Sequence, residues 1–342
     1  MKNRDVWRWL LTGFVGLLII IGLAAWWLRT DFGTRYYGSP GPKTFVEIPR
    51  GAGTMHIATL LGEAGVLRYR LPFLVYVRWT GKGRSLKAGE YLFSSPATPV
   101  EITHRLERGD VYYHSITIPE GLTARETIAL IAQSGLCKLE DLEKALPRAD
   151  WVRDFSPEAR DLEGYLFPET YRVPRRITAE QLLRIMVDRF REVLLYLKTQ
   201  HPLPEGWTPH RIVTLASMIE KEAKLDAERE LVASVLTNRL RKGIPLACDP
   251  TIIYALKLSG KYDGNIRKRD MKIDSPYNTY VRTGLPPGPI ANPGEESLKA
   301  ALTPARTDLL YFVARKDGSH QFSKDFETHE RAVARFQKSS PH

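Results

Sequence analysis

Only two cysteines occur in 342 residues, Cys137 and Cys248, and they form no Cys-x-x-Cys motif. A disulfide framework is therefore excluded; an oxidising compartment would let the two thiols pair, and the default reading keeps both as structural residues. Histidine is sparse too, with eight residues and no HExxH spacing, so neither a metal cluster nor a cofactor is expected. No glycine-rich phosphate loop is present. The chain also lacks an arginine-rich arm and zinc-finger spacing, although its formal charge is +11. Its basic residues are scattered among acids, which argues against nucleic acid as a partner and favours lipid headgroups and cell-wall polymers.

What the sequence does contain is one long apolar run. Trp9 to Leu28, WLLTGFVGLLIIIGLAAWWL, carries no charge over 20 residues, and at the helical rise it spans roughly 30 Å, the thickness of a bilayer's hydrocarbon core. Trp7 and Trp9 mark one end and Trp26 and Trp27 the other, as interfacial aromatics do. Lys2, Arg4 and Arg8 precede the run, so the positive-inside tendency keeps the N-terminus in the cytoplasm. The competing reading is a cleaved signal peptide ending near Gly22-Leu23-Ala24, but its apolar region would be shorter. The expectation is a cytoplasmic tail over 1–8, a membrane anchor over 9–28 and a Gly/Pro/Tyr-rich stalk over 29–43. Everything beyond would be extracytoplasmic.

A weak internal repeat organises the chain beyond the stalk. VEIPRGAGTMHIATLLGEAGVL, from Val46, resembles ITIPEGLTARETIALIAQSGL, from Ile116, with Pro-x-Gly at Pro49 and again at Pro119. Thr123 and Glu126 make a capping box, as do Thr178 and Gln181 before a long helix through Lys198. Between the repeats the pattern predicts a helix near Phe73–Thr80, the strand GEYLF and a helix over Pro99–Arg108. Residues 44–115 thus form a small βααβ unit, similar to a LysM-type glycan-gripping module or else a plain spacer. The remainder, 116–342, reads as a larger mixed α/β domain closing with a hairpin around Lys316–Ser319 and a last helix near Thr328–Gln337. The fold class is α+β.

TLASMIEKEAK, Thr214 to Lys224, holds two glutamates in a helix that otherwise reads as packed. At 100° per residue, Val213, Ala216, Glu220, Ala223 and Ala227 share one side. Glu222 projects about 160° away and reads as a solvated surface residue. A glutamate among alanines is a buried structural acid, the partner of a distant arginine, or a carboxyl lining a cleft. In the last case a half-buried site favours the protonated form that a general acid needs.

Downstream, DSPYNTYVRTGLPPGPIANPG is dense in Pro, Gly, Asn and Tyr. Asn278, Thr279 and Tyr280 offer an amide, a hydroxyl and a ring face, which suits a sugar as well as it suits a proline-stiffened loop. Within EGYLFPETY, Glu169 is either a second carboxylate of a glycosidase pair or part of a structural corner.

EGYLFPETY, LASMIEKEA, NRL, DPTIIY, SPYNTY and GLPPGPIANPG, in this order, resemble the YceG-like family of endolytic murein transglycosylases, and the resemblance covers essentially the whole chain. It implies a membrane-anchored enzyme that cuts nascent peptidoglycan glycan strands internally, in cooperation with peptidoglycan synthases (penicillin-binding proteins). It also implies that Glu220, the first glutamate of the EKE triplet, is catalytic. Asn238 of NRL and Tyr254 of DPTIIY join Asn278, Thr279, Tyr280 and Glu169 as substrate-binding candidates. One departure is Cys248, where the family carries a hydroxyl. Two other readings remain: a lysozyme-type hydrolase using water and Glu169, and a tethered glycan-binding scaffold without chemistry.

Overall fold

The computed structural model describes residues 2–36 and 43–337; residues 37–42 of the expected stalk lie outside the described residues. The chain is mixed α/β and divides into two compact units, Met1–His114 and Ser115–His342.

In the first unit, α1 (Lys2–Gly33) is a single helix that begins ahead of Trp9 and continues beyond Leu28. Its last turns gain tertiary contacts, with Trp27 5.3 Å from the Tyr69 ring and Phe32 6.1 Å from Tyr76. Trp7–Gly33 is the one helical stretch among the described residues long and apolar enough to cross a bilayer. After it come β1 (Thr44–Ile48), α2 (Thr54–Glu63), α3 (Arg70–Trp79), β2 (Gly89–Phe93) and α4 (Pro99–Arg108). β1 and β2 pair antiparallel with Thr44 opposite Phe93 and Ile48 opposite Gly89. The two-residue period of the strands sends Val46, Ile48, Tyr91 and Phe93 to one face, where Leu61, Phe73 and Leu106 close the core. The strand–helix–helix–strand order agrees with the reading of this segment.

The second unit runs β3 (His114–Thr117, whose first residue closes the first unit), α5 (Ala124–Gln133), α6 (Leu139–Ala145), β4 (Thr170–Val173), α7 (Ala179–Gln200), α8 (Pro209–Glu222), α9 (Arg229–Arg241), α10 (Asp249–Leu258), α11 (Glu295–Leu302), β5 (Tyr311–Ala314), β6 (His320–Ser323) and α12 (Phe326–Phe336). β3 pairs with β4, and β5 with β6 in an antiparallel hairpin. The capping boxes of α5 and α7 form as expected, on Thr123 with Glu126 and on Thr178 with Gln181.

α8 is the centre of this unit. Thr208 caps it and Pro209 opens its first turn, where a missing N–H costs nothing. It packs against α9, α10 and α11, and nine consecutive or near-consecutive residues from His210 to Ile219 are buried. Burial on every side marks a core helix rather than a surface helix with one apolar stripe. Glu222, in the last turn, is half-buried rather than exposed, which corrects its reading as a solvated surface residue.

Buried polar groups tie the loops around α8 to it. His210 Nε2 donates to the Pro287 carbonyl at 3.0 Å, which leaves Nδ1 to accept from the Tyr165 hydroxyl at 2.8 Å. Ser217 Oγ accepts from Ile290 N at 3.0 Å. Asn292 binds three segments at once: its Oδ1 accepts from Leu166 N, its Nδ2 donates to Leu122 O and Thr127 Oγ1, and its backbone pairs with Gly121 and Leu122. The loops at 120–124, 162–166 and 287–294 are thereby held in register. At Gly164 (φ +84°) a Cβ would fall 2.4 Å from Pro289 Cβ, so only glycine fits there.

Candidate active site

Glu220 lies in the last turn of α8, and its side chain is 6% exposed. Helix dipoles oppose negative charge at this end, so a carboxylate here needs compensation. Two groups supply it: Gly294 N–H donates to Oε2 at 3.0 Å, and Arg229 Nη1 stands 3.2 Å from the same oxygen. Gly294 is the N-cap of α11, and its N–H comes from the Pro- and Gly-rich loop held by Asn292 and Ser217.

Arg229 is itself enclosed, with a side chain 9% exposed, and it faces three carboxyls. Besides Glu220 these are Asp226, 3.0 Å from Nε, and Glu120, 3.8 Å from Nη2. It also donates to Ser297 Oγ. Burial works against the guanidinium charge, but Glu220 and then Asp226 outweigh it and raise Arg229 above its ordinary value. The Glu120 carboxyl is pushed up, by burial first and by the Glu220 charge second, with Arg229 pulling the other way. Lys221 Nζ donates to Gly121 O at 2.9 Å and closes the near side of the group.

Glu222, two residues on, turns into the protein instead of into water. Its carboxyl is enclosed beside Cys248; burial, aided by the Asp249 charge, pushes it up to about 7, while the Cys248 thiol and Arg239 partly offset the shift. Burial and the Glu222 charge in turn push the Cys248 thiol well up. Ala227 lies beyond the end of α8 and is exposed, so it does not extend the face that carries Glu220. Neither cysteine is bonded: Cys137 and Cys248 are both free thiols.

The other candidates occupy several places in this unit. Asn278 is fully buried, donating to Met271 O and Ile273 O and accepting from Tyr280 N. Thr279 Oγ1 accepts from Cys248 N at 3.0 Å and contacts Thr251. Tyr280 is half-buried, with its hydroxyl on Asp249. Asn238 donates to Thr307 O and Leu309 O. Glu169, exposed at the edge of β4, pairs with Arg189 at 2.7 Å. Tyr254 donates to Glu163 Oε2 at 3.2 Å, and Glu163 also accepts from Ala124 N at 2.9 Å. Burial pushes Glu163 up to about 8.

Glu163 and Tyr254 line a cleft of about 740 Å³ together with Arg125, Arg160 and Lys257. Glu220 is not among the residues lining that cleft; carboxyl chemistry, rather than cavity size, singles Glu220 out. Sequence reasoning missed Glu120, Arg229, Gly294 and Glu163 as members of the buried polar system. The recurring Pro-x-Gly at 119–121 pointed to Glu120, and the motifs EGYLFPETY and GLPPGPIANPG contain Glu163 and Gly294 without marking them out.

The YceG-like family model matches residues 46–335. A Bacillus subtilis (strain 168) protein named endolytic murein transglycosylase is 34% identical over 307 residues, covering 85% of this chain and 84% of that protein. A protein of the same name from Streptococcus pneumoniae (strain R6) is 31% identical over 327 residues, covering 84% of this chain and 57% of its own length. The crystal structure of a yceG-like protein from Listeria monocytogenes aligns with a TM-score of 0.57 at 34% identity, covering 85% of this chain and 98% of that one. With the match spanning both the βααβ segment and the whole Glu220 surround, the chain belongs to the YceG-like family.

Proposed function

We propose that this chain is an endolytic lytic transglycosylase of peptidoglycan, anchored by α1 in the inner membrane with its second unit outside the cytoplasm. The observation that carries the reading is Glu220: a nearly enclosed carboxyl with a backbone N–H and a guanidinium poised on one oxygen, in a chain whose relatives bear that activity in their names.

Glu220, protonated, donates to the glycosidic oxygen between N-acetylmuramic acid and N-acetylglucosamine as the bond to the muramyl C1 breaks. Its carboxylate is then held by Gly294 N–H and Arg229. The C6 hydroxyl closes onto C1 and returns its proton to Glu220, leaving a 1,6-anhydro end. No water is consumed, so one carboxyl serves as acid and then as base.

The substrate-binding proposal covers Tyr280, Asn278, Thr279, Tyr254, Asn238 and Glu169. Tyr280 and Glu169 offer accessible surface to glycan, and the four buried side chains hold the loops on which they sit and those around them. The βααβ segment of the first unit acts as a LysM-like glycan contact, and cutting beside the peptidoglycan synthases would end strand growth.

Incubating the purified chain and its Glu220→Gln variant with glycan strands, followed by mass spectrometry, tests this. Expected are internal cuts with anhydro ends from the wild type and none from a folded variant. Reducing ends, heavier by one water, would instead establish a hydrolase, and binding without new ends a scaffold.

A further inference from the structure

The end of α1 is built into the first unit. Its last turns pack against α3 and α4, and just beyond them Arg35 pairs with Glu101 at 2.9 Å and Tyr36 forms a β-bridge with Ala97. Ring contacts give the direction of α3 beside it. Trp27, at the end of the apolar run, meets Tyr69, the N-cap of α3, and Phe32 meets Tyr76 two turns along. From Trp27 to Phe32 the helix rises about 7.5 Å, and from Tyr69 to Tyr76 about 10 Å. α3 therefore runs alongside α1 in the same sense, with Tyr69 at the level of Trp27.

The end of the unit at that level is Arg68-Tyr69-Arg70-Leu71, the turn from α2 into α3, and all four residues are exposed. Tyr69 is 42% and Leu71 52% exposed. The Arg68 guanidinium lies over the Tyr69 ring, 5.3 Å from its centre, and Arg70 Nη1 donates to Thr59 Oγ1 at 3.3 Å. Two carboxyls stand near them: Asp31, within the field of Arg68, and Glu63, 3.9 Å from Arg70. Arg29, exposed on α1, leaves the positive charges in excess. Guanidinium groups for phosphates, a phenol for the headgroup level and a leucine for the acyl boundary are the side chains an interface takes. The other large exposed side chains of this unit's helices, Met55 and Trp79, stand at the opposite end: Trp79 closes α3, and Thr54 at the start of α2 lies against Gly83 just after it.

We propose that Arg68, Tyr69, Arg70 and Leu71 form a second membrane contact of the first unit, docked on the anionic phospholipid headgroups around the outer end of α1. The Trp27 ring carries this inference. Where α1 crosses the bilayer, Trp27 sits among the headgroups, and its contact with Tyr69 brings the turn to the same depth. Charge complementarity selects the lipid, since an arginine near an anionic membrane surface strengthens binding about fivefold. A contact this small suffices because α1 already holds the turn at the surface, so docking is an intramolecular step. Held by a helix and a turn together, the first unit keeps one face to the membrane instead of swivelling about α1.

This inference rests on the reading of α1 as the membrane anchor, and the full-length chain in vesicles containing phosphatidylglycerol separates the two. Retention in the vesicles after a carbonate wash tests the anchor. Nitroxide labels on Leu71→Cys and Trp79→Cys test the turn, with the unsubstituted chain and its two free thiols as background. The readout is the ratio of oxygen to nickel-chelate accessibility, which rises with depth in the bilayer. At position 71 the ratio should be severalfold that at position 79, on the same helix. Vesicles of phosphatidylcholine alone should weaken the docked component, and adding Arg68→Gln should weaken it about fivefold. A chain retained after the wash, with position 71 no deeper than 79 or with a ratio indifferent to both lipid charge and Arg68, overturns this inference and leaves the anchor standing. Shielding of position 71 only on addition of an anionic cell-wall polymer would assign the turn to that polymer and overturn it too. Release by carbonate overturns both readings.

Discussion

Gly294 N–H reaches Glu220 Oε2 at 3.0 Å across 74 residues of sequence, and the same Gly294 leaves the space that Glu120 occupies. Its backbone, at φ −78° and ψ 175°, accepts any residue, so glycine is required by the close approach alone. Gly294→Ala should fold with a stability change within about 1 kcal/mol, because the atoms displaced are the free end of a flexible side chain. Its cost should fall on cleavage, which is expected to drop because the added Cβ crowds the Glu120 carboxyl beside Arg229 and disturbs the N–H that Gly294 gives to Glu220. Thermal melts alongside glycan digestion check this; a large loss of stability would mean that the pocket cannot give.

Free thiols give a second, chemical check. Cys137 and Cys248 are unbonded, and burial raises both, Cys248 well above its ordinary range. The folded chain should therefore alkylate slowly at pH 7, Cys248 slowest, and take up two equivalents of reagent once unfolded without reductant. Finding no reactive thiol after denaturation would show an unexpected disulfide.

Local rules made much of this fold legible, and tertiary ones did not. The strand GEYLF, the helix over Pro99–Arg108 and the capping boxes of Thr123 and Thr178 depend on neighbours three or four residues away, and they appear where the pattern puts them. A helical projection also isolated Glu220. It failed for Glu222 because a projection assumes one face in water, and α8 has α9, α10 and α11 around it. Arg229 and Glu120 could not be read as neighbours of Glu220 because nothing local joins them: Glu120 reaches the site from 100 residues upstream.

Glu163 supplies a pH test of stability. In the folded chain its carboxyl titrates near 8 rather than near 4.5, so the native state holds a proton that the unfolded state has released. The associated stability is fully present below about 4.5 and is lost as pH rises through about 8. Glu222, near 7, adds a loss of the same sign. Urea denaturation should thus show stability falling by a few kcal/mol between about pH 5 and pH 9. Glu163→Gln removes one titrating group while keeping an oxygen for Ala124 N, and it should flatten that slope; an identical slope in the variant would contradict the assignment.

The burial of Glu222 makes the sharpest mutational distinction. Were this side chain solvated, Glu222→Lys would change stability by no more than about 0.5 kcal/mol. Enclosed beside Cys248 and within the field of Arg239, a lysine meets a guanidinium of its own sign, and the neighbouring Asp249 is already engaged by the Tyr280 hydroxyl. The cost should be on the order of 3–5 kcal/mol, that of an unpaired buried charge. Glu222→Gln keeps the shape and removes the titration, so it should be tolerated above neutral pH, where it spares the fold the ionised carboxyl. Comparing the two by urea midpoint at about pH 8 separates charge from shape: equal midpoints for glutamate, glutamine and lysine would return Glu222 to the surface.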